Sequence, residues 1–167
     1  MFECRHVEAD DLQHLAQVYV NERVVNTTPD GLFAILDDEG SWPVWVPGIE
    51  RVDWTTERPF GVGTTRTVFF TGGMEIFETF TAWSHGERMA FCLSGASQRV
   101  WWAFGEDWQV SDLGDGRCHV RWLVGYEPRF VFRAIHFLVR PLMSLALSKM
   151  LDNLSSYVDK QAPNEAQ

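Results

Sequence analysis

The stretch that decides the fold is residues 129–160, RFVFRAIHFLVRPLMSLALSKMLDNLSSYVDK. Apolar side chains recur in it at spacings of three and four, which is typical of a helix with one buried face. Pro141 has no amide hydrogen and predicts a kink or a fresh helix start at that point. The predicted buried face consists of Val139, Met143, Ala146, Met150, Leu154 and Tyr157.

The apolar run within this segment also raises the question of a membrane span. Arg133, His136, Arg140 and Lys149 interrupt it. A span needs roughly 20 consecutive apolar residues, and no stretch here reaches that length. We therefore interpret the segment as a helix that packs on the protein core.

The chain ahead of this helix is rich in predicted strands. Residues 17–27 carry β-branched side chains, Thr28-Pro29 has the form of a helix start, and residues 41–45 suggest a second helical turn. Residues 50–127 alternate as strands. The sequence predicts an α+β domain in which the last helix lies across a curved antiparallel sheet. Residues 1–16 form an extension, predicted as either a short helix or a loose tail, and residues 161–167 form a C-terminal tail.

A predicted hairpin gives the sharpest statement about side-chain positions. A three-residue turn at Thr71-Gly72-Gly73 brings Arg66 opposite Glu78 on a face that is otherwise apolar. Burying such an ion pair is costly unless each partner satisfies the other or both border a hydrated cavity. Two interpretations stay open: a structural pair at the end of the sheet, or a polar anchor inside a ligand cavity.

A second predicted hairpin, over residues 98–112 and 117–127, carries an aromatic row. One face of it holds Val100, Trp102, Phe104, Glu106, Trp108 and Val110, and the partner strand holds Cys118, Val120, Trp122, Val124 and Tyr126. Glu106 is the single carboxylate in this row. An anion among tryptophans is destabilised, so the sequence predicts a hydrated cavity or a raised pKa at Glu106.

Composition and spacing exclude several classes of function. The formal net charge is −9 and no basic stripe occurs, so we expect no nucleic-acid partner. Cys4, Cys92 and Cys118 have neither metal-ligand nor redox spacing, and no cofactor signature is found. The start of the chain lacks an apolar signal segment, so we expect a cytoplasmic protein. The histidines are too dispersed for a metal site; they are His6, His14, His85, His119 and His136.

Taken in order, these pieces resemble the helix-grip superfamily. It includes the START-related lipid-binding domains, the birch-pollen allergen type, the plant abscisic-acid receptors and the polyketide cyclase/dehydrase group. The resemblance covers residues 17–160. It rests on the first strand and helix, WPVWVPGI (42–49), GTTRTV (63–68), residues 73–83, EDWQV (106–110) and the last helix.

The resemblance implies a helix-grip domain over residues 17–160, in which a curved antiparallel sheet of six or seven strands wraps around the last helix, with a cavity between them. In the plant hormone receptors, glutamates that match Glu78 and Glu106 line this cavity and order water around the ligand. In the aromatase/cyclases, an inward arginine on a strand like that of Arg66 polarises a ketone. The turn at residues 71–73 is too short to be the hormone receptors' proline-containing gate, and this departure argues against hormone sensing.

Three functions stay open at this point. The leading hypothesis is a protein that binds a small hydrophobic or amphiphilic molecule, such as a lipid or an aromatic metabolite. The alternative is a cyclase, aromatase or dehydratase, in which Arg66 stabilises an enolate and a glutamate moves the proton. The third is a partner-binding module, and a homodimer is left open. The predicted ligand-binding residues are Arg66, Glu78, Phe80, Trp102, Phe104, Glu106, Trp108, Trp122 and Tyr126.

Overall fold

The computed structural model describes residues 1–161, with the backbone alone for residues 130–139. The strands are β1 Phe2–Glu3, β2 Gln17–Val25, β3 Ile49–Trp54, β4 Thr65–Phe70, β5 Met74–Ser84, β6 Arg88–Ala96, β7 Trp101–Asp112 and β8 Cys118–Pro128. The helices are a 3-10 helix at Ala9–His14, α1 at Pro29–Asp37, α2 at Trp42–Trp45 and α3 at Phe130–Gln161.

All strands belong to one curved antiparallel sheet in the order β2-β8-β7-β6-β5-β4-β3, with the short β1 paired to β6. Consecutive strands from β3 to β8 are neighbours, and β2 closes the edge beside β8. The helix α3 lies across the inner face. The predicted helix-grip architecture is confirmed, including the seven strands of the main path.

Local signals start the two short helices where the sequence predicts them. The Thr28 hydroxyl oxygen accepts a hydrogen bond from the Gly31 amide at 3.2 Å, and Pro29 occupies the first turn of α1. This cap satisfies an amide that has no partner within the helix. The α2 turn follows within a few residues. It is fixed by the Trp42 indole N–H, which donates to the Leu36 carbonyl at 3.0 Å.

The last helix differs from its prediction in two respects. It runs without a break through Pro141, so of the two predicted alternatives the fresh start is wrong and the kink stays a prediction. Its buried ridge consists of Leu147, Leu151, Leu154 and Val158. Met143, Met150 and Tyr157 are half-buried at the border of this ridge, whereas Ala146 is exposed. The side chain of Val139 lies outside the described residues. Among the residues described, no helix combines the length and apolarity that crossing a membrane requires.

The N-terminal segment packs on the outer face of the sheet. Leu12 of the 3-10 helix is fully buried in a small second core with Cys92, Ala103 and Leu123. Two strand glycines make room for it, because a Cβ added to Gly105 or to Gly125 would lie 2.6 Å from Leu12. Residues 1–16 therefore form an ordered outer layer, and the helical alternative for them is the correct one.

Candidate functional site

A cavity of about 260 Å³ lies between the inner face of the sheet and α3. We call it the central cavity. Its walls are apolar and largely aromatic, with three charged side chains among them: Arg66, Glu78 and Glu106. The apolar lining residues include Trp42, Trp45, Ile49, Phe70, Phe91, Trp101, Phe104, Trp122, Val124, Tyr126, Met143, Leu147 and Met150.

A tight turn sets the positions of Arg66 and Glu78. Gly72 and Gly73 have φ angles of 88° and 79°, which are favourable only for glycine, and the Gly73 amide bonds the Phe70 carbonyl at 3.1 Å. The resulting register makes Arg66 and Glu78 direct partners on β4 and β5, as predicted. Their side chains are 1% and 3% exposed, and Arg66 Nε donates a hydrogen bond to Glu78 Oε2.

The guanidinium of Arg66 is surrounded by aromatic rings. Its central carbon lies 4.2 Å from the ring centroid of Trp42, 4.9 Å from that of Phe91 and 5.2 Å from that of Phe80. Ring faces stabilise a cation that has lost its water. Within the described part of the chain, the second nitrogen, Nη1, is buried and has no hydrogen-bond acceptor. Arg66 therefore brings an unused donor to the wall of the cavity.

Glu106 provides the second polar element of the wall. Its Oε2 accepts hydrogen bonds from the indole N–H groups of Trp108, at 3.1 Å, and of Trp122, at 2.9 Å. These two bonds hold the carboxyl group in place at the boundary of the cavity. None of the described hydrogen bonds uses Oε1, so that oxygen stays available to a molecule in the cavity.

Burial controls the protonation of both glutamates. It raises the pKa of Glu106 to about 7, and the negative charge of Glu78 acts in the same direction. The two indole donors and the Arg66 cation oppose this rise. Burial also raises the pKa of Glu78, against the charge and hydrogen bond of Arg66. Near neutral pH, Glu106 can therefore either donate or accept a proton. A raised pKa is one of the two alternatives that the sequence predicts for this carboxyl group in an aromatic row.

Most of the predicted ligand-binding residues lie at the cavity, but three do not. Phe104, Trp122 and Tyr126 line it together with the three charged residues. Phe80 is buried behind the wall, next to Arg66. Trp108 is also behind the wall, where its ring stacks on Trp122 with centroids 4.7 Å apart. These two support the wall without lining the cavity.

The assignment of Trp102 to the cavity wall is wrong. Its side chain is 43% exposed on the other side of the sheet, where the Arg129 guanidinium covers its ring at 3.8 Å. The cause is a register shift between Trp101 and Ala103, where β7 has one residue more than β8. Such a bulge interrupts the in-out alternation. Trp101 therefore takes the inward position, and its ring lies 5.2 Å from that of Phe104.

Sequence reasoning missed the contributions of the helices. Trp42 and Trp45 of α2 line the cavity, as do Met143, Leu147 and Met150 of α3. The tryptophan pair belongs to the run WPVW, in which the proline indicates a short helical turn. The run does not indicate which way the two rings point. The sequence predicts that Met143 and Met150 belong to the buried face of the last helix. The helical spacing of positions 143, 147 and 150 is the signal that could have identified all three residues as part of the cavity wall.

No metal site is found in the part of the chain that the structure describes. No group of three or more His, Cys, Asp or Glu side chains is arranged to hold an ion among the described residues. The side chain of His136 lies outside them. The central cavity offers one guanidinium, two carboxyl groups and aromatic rings, a set suited to an organic molecule.

Comparison with known proteins identifies the family. Residues 16–159 match the family described as polyketide cyclase / dehydrase and lipid transport. The chain belongs to this family. A relative from Mycobacterium tuberculosis and another from Mycobacterium bovis are each 36% identical to it over 159 residues, covering 95% of both chains. Both relatives bear the name uncharacterized protein, so their names suggest no activity.

Solved structures share the fold of this family member. A START superfamily protein from Mycobacterium smegmatis superposes with a TM-score of 0.73 at 11% identity, over 87% of this chain and 99% of the other. The Zhui aromatase/cyclase from Streptomyces sp. R1128 superposes with a TM-score of 0.71 at 10% identity, over 90% and 98%. At these identities the likeness concerns the fold alone.

Proposed function

We propose that this protein binds a small, largely apolar molecule carrying a carbonyl or hydroxyl oxygen in the central cavity. The observation that carries the proposal is the Nη1 group of Arg66, buried at an apolar wall with no acceptor among the described residues. A buried donor without a partner is costly. An oxygen acceptor on a bound molecule removes that cost, and the apolar remainder fits the aromatic walls.

The size of the cavity limits the ligand. Its 260 Å³ lies just below the range of roughly 300–1,000 Å³ that is usual for drug-sized ligands. This volume suits a molecule of one or two rings or a short branched chain. A larger substrate requires α3 or the β4–β5 turn to move outward, so we select small aromatic ketones as first probes.

The comparisons support this proposal at the level of the family. The description of the family includes both cyclase/dehydrase chemistry and lipid transport, and both activities use an organic molecule. The Zhui protein is named an aromatase/cyclase. A cavity that combines a buried cation with a carboxyl group is compatible with carriage and with catalysis.

Glu106 favours catalysis of the cyclase or dehydratase kind as a second candidate function. Its pKa of about 7 suits a group that takes and returns a proton near neutral pH. In this alternative, Glu106 removes a proton from the carbon next to a ketone. Arg66 Nη1 donates a hydrogen bond to the resulting enolate oxygen, where the negative charge develops. Protonated Glu106 then returns the proton.

A matched pair of probes tests the binding proposal. Acetophenone and ethylbenzene have nearly the same shape, and only acetophenone offers a carbonyl acceptor. Arg66→Lys keeps a cation opposite Glu78 but removes the forked guanidinium. By calorimetric titration, we expect this variant to bind acetophenone about tenfold more weakly, because a hydrogen bond to a charged group contributes about 1.5–3 kcal/mol. Ethylbenzene binding should stay unchanged.

Arg117→Lys is the control, since Arg117 pairs with Asp115 at the surface. It should leave both affinities as they are. Equal losses for the two probes in Arg66→Lys would show that Arg66 only supports the scaffold. Failure of the unmodified protein to bind either probe, together with an empty cavity in native mass spectrometry of the purified protein, would overturn the binding proposal.

Proton exchange separates the two candidate functions. Acetophenone dissolved in heavy water with the protein is followed by proton NMR for loss of the methyl signal. Catalysed exchange that disappears in Glu106→Gln supports enolate formation. Binding without exchange above the buffer rate supports carriage.

A further inference from the structure

The indole of Trp45 brings a second unused donor to the wall of the central cavity. Trp45 is 2% exposed and lines the cavity. Its Nε1 is buried and has no hydrogen-bond acceptor in the part of the chain that the structure describes. A buried N–H without an acceptor is costly in free energy, and buried tryptophans in folded proteins usually find one. The protein itself supplies no partner for this nitrogen among its described residues.

The neighbouring indoles of the wall use their N–H groups. Trp42 donates to the Leu36 carbonyl at 3.0 Å, and Trp122 donates to Glu106 Oε2 at 2.9 Å. Among the buried indole nitrogens of the described residues, only that of Trp45 has no acceptor. The fold therefore leaves one indole donor of the wall unused.

Packing holds the Trp45 ring in one position. Its centroid lies 4.8 Å from that of Trp42 and 6.0 Å from that of Trp108. Asn153 of α3 donates a hydrogen bond to the Trp45 carbonyl at 3.1 Å. A donor on a side chain that is already fixed binds an acceptor with little loss of conformational entropy.

Trp42 connects the two unused donors of the cavity. Its ring centroid lies 4.2 Å from the central carbon of the Arg66 guanidinium and 4.8 Å from the centroid of Trp45. Arg66 Nη1 and Trp45 Nε1 therefore belong to the same region of the wall. One small molecule can bind both donors when it carries two oxygen acceptors.

The charges of the wall favour an uncharged ligand. Glu78 and Glu106 both belong to this wall, and Arg66 is already paired with Glu78. A carboxylate on the ligand would add a negative charge to a buried region that contains two carboxyl groups, which is unfavourable. Two neutral oxygens, such as two carbonyls or a carbonyl and an ether, accept hydrogen bonds from both donors without that cost.

We propose that the ligand of the central cavity carries two oxygen acceptors, one bound by Arg66 Nη1 and the other by Trp45 Nε1. The inference rests on the proposed function, because it concerns the same cavity, and it adds a second polar group to the ligand. The ligand class is uncharged organic molecules of one or two rings with two oxygens. Trp45 determines the preference for the second oxygen and takes no part in proton transfer.

Two matched pairs of ketones test the proposal on the unmodified protein. Methoxymethyl phenyl ketone and propyl phenyl ketone differ by one ether oxygen close to the carbonyl. Meta-diacetylbenzene and meta-isopropylphenyl methyl ketone differ by one carbonyl oxygen across the ring. By calorimetric titration, we expect the two-oxygen member of at least one pair to bind about fivefold more tightly than its match, which is the usual contribution of one neutral hydrogen bond.

NMR of the indole N–H groups identifies the donor. The Trp45 resonance should move further downfield with the preferred two-oxygen ketone than with its match, because hydrogen bonding deshields the proton. This measurement uses the unmodified protein, so it does not depend on how well a variant of Trp45 folds. An equal response to both members of each pair would show that the Trp45 N–H does not contact the second oxygen, and it would overturn the proposal.

A matched pair of variants separates the donor from the volume of the ring. Trp45→Phe removes the N–H and keeps an aromatic ring, so it should abolish the fivefold preference, whatever the change in size does to both affinities. Phe104→Leu is the control, since Phe104 lines the same cavity and has no donor. It should weaken both members of the pair and keep the preference between them.

The outcomes distinguish this inference from the proposed function. Binding of all four ketones with equal affinity within each pair would overturn the role of Trp45 and leave the proposed function in place. A preference that persists in Trp45→Phe would assign the second oxygen to another group of the wall. Failure of all four ketones to bind would overturn the proposed function and this inference together.

Discussion

Arg66 and Glu78 are direct neighbours across β4 and β5, and both are buried at the wall of the central cavity. Removing one partner of such a pair leaves the other as an unpaired charge in a low-dielectric site. We expect Glu78→Leu to lower the free energy of unfolding by about 3–5 kcal/mol. Glu78→Gln should lower it less, because its amide oxygen still accepts a hydrogen bond from Arg66.

Urea denaturation of the two variants measures this difference. Asp115→Asn serves as the control, since Asp115 pairs with Arg117 at the surface, and it should unfold like the unmodified protein. Equal losses for Gln and Leu at position 78 would mean that the contact with Arg66 does not contribute to the stability of the fold.

Glu106 should make the stability of the protein depend on pH. Its pKa is about 7 in the folded protein, against an ordinary value of 4.5. Between these values the folded state holds a proton that the unfolded chain has released, so stability falls as the pH rises through this window. Glu106→Gln removes this loss. At about pH 8 we expect the variant to be more stable by about 3 kcal/mol, since one pKa unit corresponds to about 1.4 kcal/mol.

The measurement is urea denaturation of both proteins between about pH 5 and about pH 8. Glu78 has a raised pKa as well, and its charge acts on Glu106, so the difference between the two proteins reports the titration of the coupled pair of glutamates. A difference between the two proteins that is the same at every pH would show that Glu106 does not bind a proton in this range.

Filling the central cavity should abolish ligand binding without unfolding the protein. Val124 lines the cavity, whereas Val120, on the same face of β8, is packed in the core away from it. Val124→Phe has space for its ring and should change the free energy of unfolding by less than about 1 kcal/mol. Val120→Phe should destabilise by about 1–3 kcal/mol because it overpacks a filled core.

Acetophenone titration and urea denaturation of the two variants check this expectation. Val124→Phe should lose measurable affinity for acetophenone, while Val120→Phe should keep it. Retained binding in Val124→Phe would place the ligand outside the central cavity.

Gly125 should tolerate no side chain. An added Cβ would lie 2.6 Å from the Leu12 carbonyl oxygen, which belongs to the backbone and has little freedom to move. We expect Gly125→Ala to destabilise the protein by about 1–3 kcal/mol through overpacking. Gly61→Ala is the control, because no atom lies within 4 Å of the added Cβ there. Thermal unfolding compares the two, and equal midpoints would show that the N-terminal segment yields to the extra methyl group.

Much of the fold could be predicted because two local rules agreed. The glycine turn at residues 71–73 fixes the strand register, and the apolar alternation on both sides requires the same register. Arg66 and Glu78 follow from it directly. The unusual position of Glu106 could be identified in the same way, since period-two alternation alone places it among the tryptophans.

The site residues that the sequence does not predict depend on a bulge, a helix rotation and a ring orientation, and the local sequence pattern does not encode these features. The bulge between Trp101 and Ala103 turns Trp101 toward the cavity and Trp102 to the outer side of the sheet, the reverse of what alternation predicts. Nothing in the run QRVWWAF indicates where the extra residue lies. The rotation of α3 about its axis is set by packing on the sheet, so Leu147 is buried and Ala146 is not. Side-chain alternation does not predict which rings of a short turn such as α2 reach the cavity.

The outer layer formed by residues 1–16 has a consequence for where the folding unit begins. Arg88 bonds Asp107 on the sheet and Asp10 on the 3-10 helix, which fastens that layer across strands β6 and β7. The family match starts at residue 16. A chain trimmed to that match would lose Leu12 and expose Cys92, Ala103 and Leu123 to water. The segment that the family match covers is thus shorter than the unit that folds, and expression of the trimmed piece should yield a protein prone to aggregation.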